Sequence, residues 1–158
     1  AANLAVNPTI NQLYYELTGA TYTNDNYVAL GDARVESISR PVYRTLFGNG
    51  NFDGIFNSSV SEANVKSFLV GGKDTQVATV RATGLPEFKV LAVPVAWPLN
   101  HRLYPSPFGG AADPVETRKI NPWRYVSSNP TNNPGEFDLW AELVIGDDIV
   151  TIGNWKQD

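Results

Sequence analysis

The stretch FDLWAELVIGDDIVTIGNW, residues 137–155, decides the class of this chain. Residues 137–143 and 148–152 are short runs rich in apolar, aromatic and β-branched side chains, parted by a segment holding a glycine and an acid, with a second acid, Asp148, opening the later run. They read as strands. Asp147 and Asp148, as neighbours, would point to opposite faces of a strand and could not both act on one substrate. Set at a strand's start with carbonyls nearby, they are the candidate metal ligands of the sequence. The competing structural reading is that Asp147 ends a turn. Trp155 follows an alternating run and reads as a strand end packing into the core.

The same signature extends upstream. Residues 76–81, 88–97 and 123–127 are also β-rich, separated by Gly, Pro and Asn clusters, and 104–122 reads as a long irregular connection. Before residue 75 the pattern changes. Asn7 can cap a helix, Pro8 suits its first position and Gly19 suits a left-handed stop. Ile10, Leu13, Tyr14 and Leu17 then fall on one apolar stripe. A second helix-like stretch, 33–46, is interrupted by Pro41. Residues 48–59 read as a surface loop, and Ser59 with Glu62 matches a capping box opening a short helix that ends near Leu69. Helices first and antiparallel strands after predict an α+β fold, with the helix packed on a C-terminal sheet. On size the chain is a single domain, divided into residues 1–19 (the end of an N-terminal helix), 20–74 (a helical and loop insert) and 75–158 (the sheet).

The chain has 158 residues, 12 basic and 16 acidic, for a net charge of −4. No basic cluster is visible, which argues against a nucleic-acid partner. The longest apolar run, 90–99, is too short to span a bilayer and holds two prolines. There is no Cys, hence no disulfide framework and no thiol nucleophile. There is no Met either, so a processed or trimmed N-terminus is expected, with a targeting or anchoring segment upstream.

Motifs that carry chemistry are sparse. His101 is the only histidine, no Gly-x-Ser-x-Gly elbow accompanies it, and a surface structural role is expected. The glycines at 48–50 and 71–72 match neither a dinucleotide fingerprint nor a phosphate loop. Residues 49–54 place oxygen side chains at the first, third and fifth positions of a calcium-type loop, but Val60 stands where a bidentate carboxylate is required. A plain turn is the better reading. The four tryptophans, Trp97, Trp123, Trp140 and Trp155, lie in the strand-rich half among apolar neighbours, which favours core packing over a sugar-binding face.

Three short segments then occur in a telling order: Asn121-Pro122-Trp123-Arg124-Tyr125, Phe137-Asp138-Leu139-Trp140, and Asp147-Asp148-Ile149 followed by Gly153-Asn154-Trp155. Over residues 121–155 the chain resembles the globular domains of type IV pilin-like proteins, above all the major pseudopilins of type II secretion. That family carries Asp-Pro-Trp-Gly-x-Pro-Tyr, a Phe-Asp-Leu-(Trp/Tyr)-Ser strand, a Gly/Asp-rich loop and a closing Asp-Ile-x-x-Trp. Here Asn121 replaces the usual Asp, Arg124 stands in place of Gly, and residues 141–146 lack the glycine-rich loop whose oxygens bind calcium in the secretion pseudopilins. The resemblance implies a pilin-like fold in which Ile10, Leu13, Tyr14, Leu17, Trp123, Trp140 and Trp155 serve core or assembly roles. It implies no enzyme activity and no cofactor, with calcium at Asp147 and Asp148 as the minority reading.

The function it implies is a structural subunit of a type IV pilus or type II secretion-like filament at the bacterial cell envelope. Such a subunit is periplasmic or extracellular and membrane-anchored in full-length form through an N-terminal helix missing from this sequence. Its partners would be other pilin or pseudopilin subunits, the envelope assembly machinery, and a host or surface ligand in an adhesive role. The alternative from another class is a secreted carbohydrate- or calcium-binding module using its Trp faces. A hydrolase is the weakest reading, because no nucleophile, base or metal cluster emerges.

Overall fold

A computed structural model describes residues 7–30, 37–48, 54–69 and 76–156. The fold is α+β. Where length alone gives one domain, the described residues group into two compact units, one of residues 12–69 and one of 7–11 with 76–156.

The first unit begins with α1 (Leu13–Thr18), a helix of six residues. It is much shorter than the predicted 8–18 span, and the reason lies in what its upstream residues bond to. Asn7 caps a turn, its Oδ1 accepting from the Thr9 N–H and hydroxyl. The Pro8 carbonyl accepts from the Tyr125 N–H, and the Asn11 amide donates to the Trp123 carbonyl at 2.9 Å. Those groups are committed to the second unit's backbone and are not free to build helix. Gly19 closes α1 at φ +70, where a Cβ would collide with the Val65 side chain.

Residues 20–47 were expected as helix and loop, yet they hold most of a four-stranded sheet. β1 (Ala20–Thr23) and β2 (Asn26–Ala29) form a hairpin whose two turn residues, Asn24 and Asp25, both have positive φ, 49° and 58°. This is the type I′ geometry whose twist matches that of the flanking strands. β3 (Ser37–Ser39) pairs antiparallel with β2. Pro41 does not break the next element. It lies in the first turn of α2 (Arg40–Phe47), where its missing N–H costs nothing, and Ser39 caps that helix by accepting from the Val42 N–H. β4 (Ser58–Ser59) joins β1 in parallel, and a single 3₁₀ turn, Glu62–Asn64, stands where the capping box predicted a helix to Leu69.

This unit's core is aromatic. Tyr14 and Tyr15 meet edge to face at 5.0 Å, and Tyr15 meets Phe47 at 5.9 Å. Phe47 in turn meets Tyr43 at 4.9 Å, and Tyr43 meets Tyr27 at 5.6 Å. Of the predicted stripe only Tyr14 is fully buried; Ile10, Leu13 and Leu17 are half-buried. Within its own unit, α1 packs on α2 through Tyr15 and Phe47, and Glu16 accepts from the Phe56 and Asn57 N–H groups.

In the second unit the predicted strands appear within a few residues of their expected bounds, but not as one sheet. β5 (Val77–Val80) and β6 (Phe88–Leu91) form an antiparallel ladder. After the short helix α3 (Val115–Arg118), β7 (Arg124–Val126), β8 (Asp138–Ile145) and β9 (Asp148–Gly153) form an antiparallel meander with β8 in the centre. The two ladders meet at an isolated bridge between Ala92 and Pro122. Pro94, with no N–H to give, ends β6 well short of residue 97. Val80, Phe88, Val90 and Phe108 are fully buried between these elements.

Candidate functional site

The segments that carry the sequence resemblance converge on the meander. β8 and β9 turn through two residues, Gly146 and Asp147, with Gly146 at φ +62. Glycine first in a two-residue hairpin loop is the type II′ pattern. Asp147 is thus a turn residue and Asp148 opens β9. Both are exposed.

A loop far away in sequence clamps this turn. His101 Nε2 lies 2.9 Å from the Gly146 carbonyl, and its Nδ1 faces the N–H groups of Leu103 and Tyr104. Those partners select the tautomer with the proton on Nε2. The Tyr104 ring stacks on the imidazole at 5.1 Å, and its hydroxyl donates to the Asp147 carbonyl at 2.9 Å. Arg102 pairs with the Asp147 carboxylate at 2.5 Å. Half-buried His101 thus holds the turn to the 101–104 loop through its contacts with the Gly146 carbonyl and the Leu103 and Tyr104 N–H groups. Arg102 and Tyr104 were not anticipated, because a contact spanning more than forty residues leaves no local pattern in the sequence.

Asp147 is engaged by Arg102 and Asp148 is displaced onto β9, so the two acids do not converge. Among the described residues, no group of three or more His, Cys, Asp or Glu is placed to hold a metal ion. The calcium-like segment 49–54 lies outside the described residues except for Gly54.

Beneath the meander sits a buried polar centre. Asn121, 2 % exposed, donates from Nδ2 to the carbonyls of Val95 (3.1 Å) and Glu142 (2.8 Å). Arg124, also buried, donates to the Pro122 carbonyl, approaches Asn121 Oδ1 at 3.4 Å and pairs with Glu142 at 3.2 Å. Its guanidinium lies over the ring of buried Trp97, 5.4 Å from the centroid. Burial draws the Arg124 pKa below the usual range, and the Glu142 carboxylate works against that shift. This cluster ties the 95–97 and 121–124 segments to β8. Asn121 and Arg124, the two departures from the pilin-like motif, touch each other.

The remaining predicted core residues are less enclosed. Trp123, Trp140 and Trp155 are half-buried. Trp155 packs edge to face on Trp140 at 5.8 Å, with its ring over Gly153. At the other end of β8, Asp138 is buried and accepts from the N–H groups of Thr131, Asn132 and Asn133 and from the Asn132 amide. Burial alone would raise its pKa, but these donors hold the carboxyl below the usual range.

No family model matches this chain, and neither a curated protein nor a solved structure matches it. Among the described residues, no helix is long and apolar enough to cross a membrane.

Proposed function

We propose that this chain is a structural, non-catalytic pilin-like subunit of a type IV pilus or type II secretion-like filament at the bacterial cell envelope, acting by assembly and surface contact. One observation carries the reading. The three segments that resemble the pilin-like pattern form one continuous piece of architecture: 121–125 leads into the outer strand, 137–140 opens the central strand, and 147–155 makes the closing strand with Trp155 packed on Trp140. Motif order and spatial order agree, which a chance string of short matches would not require. Partners on this reading are like subunits and the assembly machinery, with a host or surface ligand where the subunit is adhesive.

The test is the native protein in its own cells. N-terminal sequencing of the gene product should reveal processing of a prepilin-type leader ahead of an apolar helix, and mechanical shearing should release the protein with filaments. A simple cleavable signal peptide, with the protein free in the medium and retained on a carbohydrate resin, would overturn the reading in favour of a secreted binding module.

A further inference from the structure

Residues 12–69 contain no Cys, Met, Trp or His, so tyrosine is the most readily oxidised side chain of the first unit. Its five tyrosines are linked by ring contacts. On the β1–β2 hairpin, Tyr22 lies 4.8 Å from Tyr27, and Tyr27 lies 5.6 Å from Tyr43. Phe47 stands between Tyr43, at 4.9 Å, and Tyr15, at 5.9 Å, and Tyr15 meets Tyr14. Tyr14, Tyr15, Tyr27 and Tyr43 are buried, whereas Tyr22 is the half-buried outer end of the series.

The hydroxyls at the two ends of the Tyr43–Tyr27–Tyr22 run differ in what they can do with a proton. The buried Tyr43 hydroxyl has no hydrogen-bond partner among the described residues. The Tyr22 hydroxyl donates to the carboxylate of exposed Asp25 at 2.6 Å. A phenol that loses an electron becomes a strong acid. At Tyr43 that proton has no acceptor, and the positive charge would stay in an apolar interior, which is costly. At Tyr22 the proton crosses one short hydrogen bond to a carboxylate, leaving a neutral radical beside a neutral acid. The oxidised state is therefore more stable at Tyr22 than at Tyr43, and Tyr27 lies between them. In the second unit Tyr104 is also half-buried, but its hydroxyl donates to the Asp147 carbonyl, a far weaker base.

We propose that Tyr22 is an oxidation site, where the tyrosine series of this unit gives up electrons to a one-electron radical oxidant at the surface. The electron passes to the oxidant, the phenolic proton passes to Asp25, and a neutral Tyr22 radical remains. An electron lost deeper, at Tyr43, is replaced from Tyr27, which is replaced in turn from Tyr22. The core rings stay reduced, and chemical modification is confined to an exposed hairpin. The proposal does not rest on the filament reading, since it uses only contacts inside this unit.

The experiment treats the chain with a substoichiometric dose of peroxynitrite in bicarbonate buffer, which releases carbonate radical and nitrogen dioxide. Carbonate radical takes the electron and becomes carbonate. Nitrogen dioxide then couples to the ring carbon beside the phenolic oxygen, and the hydrogen of that carbon leaves as a proton. Peptide mass spectrometry reads the resulting nitrotyrosine residue by residue. Tyr22 should carry more label than Tyr104 and Tyr125, which are half-buried like it. Asp25→Asn suits the positive φ of 58° at that position. It should cut the Tyr22 label about tenfold, the rate equivalent of one lost charge-assisted hydrogen bond, and leave Tyr104 unchanged. Tyr22→Phe keeps the ring but not the phenol, and should move the label inward to Tyr27 and Tyr43. Far-UV circular dichroism verifies folding, and the parent pattern with Asp25→Asn carries the test if Tyr22→Phe does not fold. A parent chain without preference for Tyr22 overturns the inference. So does a Tyr22 label that ignores Asp25→Asn, or a folded Tyr22→Phe chain labelled at Tyr104 and Tyr125 with Tyr27 and Tyr43 clean.

Discussion

Asn121→Asp restores the residue that the pilin-like motif carries at this position, and it should nevertheless destabilise this chain. The Asn121 amide nitrogen is the donor to both the Val95 and Glu142 carbonyls in a fully enclosed site. A carboxylate has no proton to give at neutral pH, so both carbonyls lose their donor and face a negative charge instead. Leaving a buried acceptor unsatisfied costs about 1–3 kcal/mol each, or roughly 2–6 for the pair. Against this, the new carboxylate would gain a charge-assisted bond with Arg124, now 3.4 Å from Asn121 Oδ1. That contact returns about 1.5–3 kcal/mol. At the middle of each range the balance is a net loss of roughly 2 kcal/mol, and for a chain of this size each kcal/mol lowers the melting temperature by about 2–4 °C.

Thermal and urea melts followed by tryptophan fluorescence would read it, since Trp97 lies against Arg124 in the same cluster. The pH dependence provides the control. Below about pH 4, the ordinary Asp range, the carboxyl gains a proton and can satisfy one of the two carbonyls. The gap between variant and parent should then narrow. Asn121→Ala lacks that proton at every pH and should show no such recovery. A variant as stable as the parent at neutral pH would refute the reasoning, because the two carbonyls would then not depend on Asn121.

Further predictions concern single groups. Tyr43 is buried with its hydroxyl unpartnered among the described residues, so Tyr43→Phe should be neutral or stabilising by about 1 kcal/mol, and a loss of stability in urea melts would reveal a partner. Gly153→Ala would bring a Cβ within 2.7 Å of the Trp155 ring. It should displace that indole from Trp140, red-shifting emission and costing about 1–3 kcal/mol as an overpacked site; unchanged emission would contradict the packing. Asp138 has a folded pKa below its ordinary value of 3.8, so its contribution to stability is present above that value and lost as pH falls through the depressed folded one. Asp138→Asn should therefore lower stability near neutrality and flatten the acid limb of the stability profile; parallel profiles for variant and parent would rule this out.

How legible these features were depends on how far along the chain their causes lie. β7, β8 and β9 could be read from residues 123–152 because alternation, turn glycine and strand composition agree locally. The helical start at Pro8 could not be read. The pattern there was sound, but the Asn11 amide and Pro8 carbonyl bond to a strand edge, in the case of Asn11 112 positions away. Tertiary hydrogen bonds overrode a good local cap. The β1–β2 hairpin was legible in principle, since Asn24-Asp25 lies between Thr/Tyr runs, but its turn lacks the glycine that makes such pairs conspicuous. Pro41 was misread because proline is neutral in a helix's first turn and disruptive only deeper. For the candidate site, the alternation of residues 148–152 marks Asp148 as a strand start, and the structure places Asp147 in the turn before it. The clamp of His101, Arg102 and Tyr104 became visible only in three dimensions.

The two faces of the β8–β9 hairpin bear on how one chain could serve both a folding and an interaction role. Glu142 and Trp140 project toward Arg124 and Trp155, so that face is consumed by internal contacts, the Arg124–Glu142 ion pair among them. The opposite face, with Ile145, Val150 and Ile152, is apolar and exposed. A substitution on the first face breaks buried pairs and should report mainly as lost stability, because it strands a partner away from water. On the second, Val150 and Ile152 lie opposite Leu143 and buried Ala141, so replacing either by Lys gives up a cross-strand apolar pair and should cost about 0.2–1 kcal/mol. Arg102 belongs to this argument too, pairing with Asp147 at the turn through an exposed contact. Arg102→Ala should cost at most about 1 kcal/mol, as exposed ion pairs do. Thermal melts check it: a fall in melting temperature well beyond about 4 °C would mean that the clamp carries more of the fold than an exposed pair does.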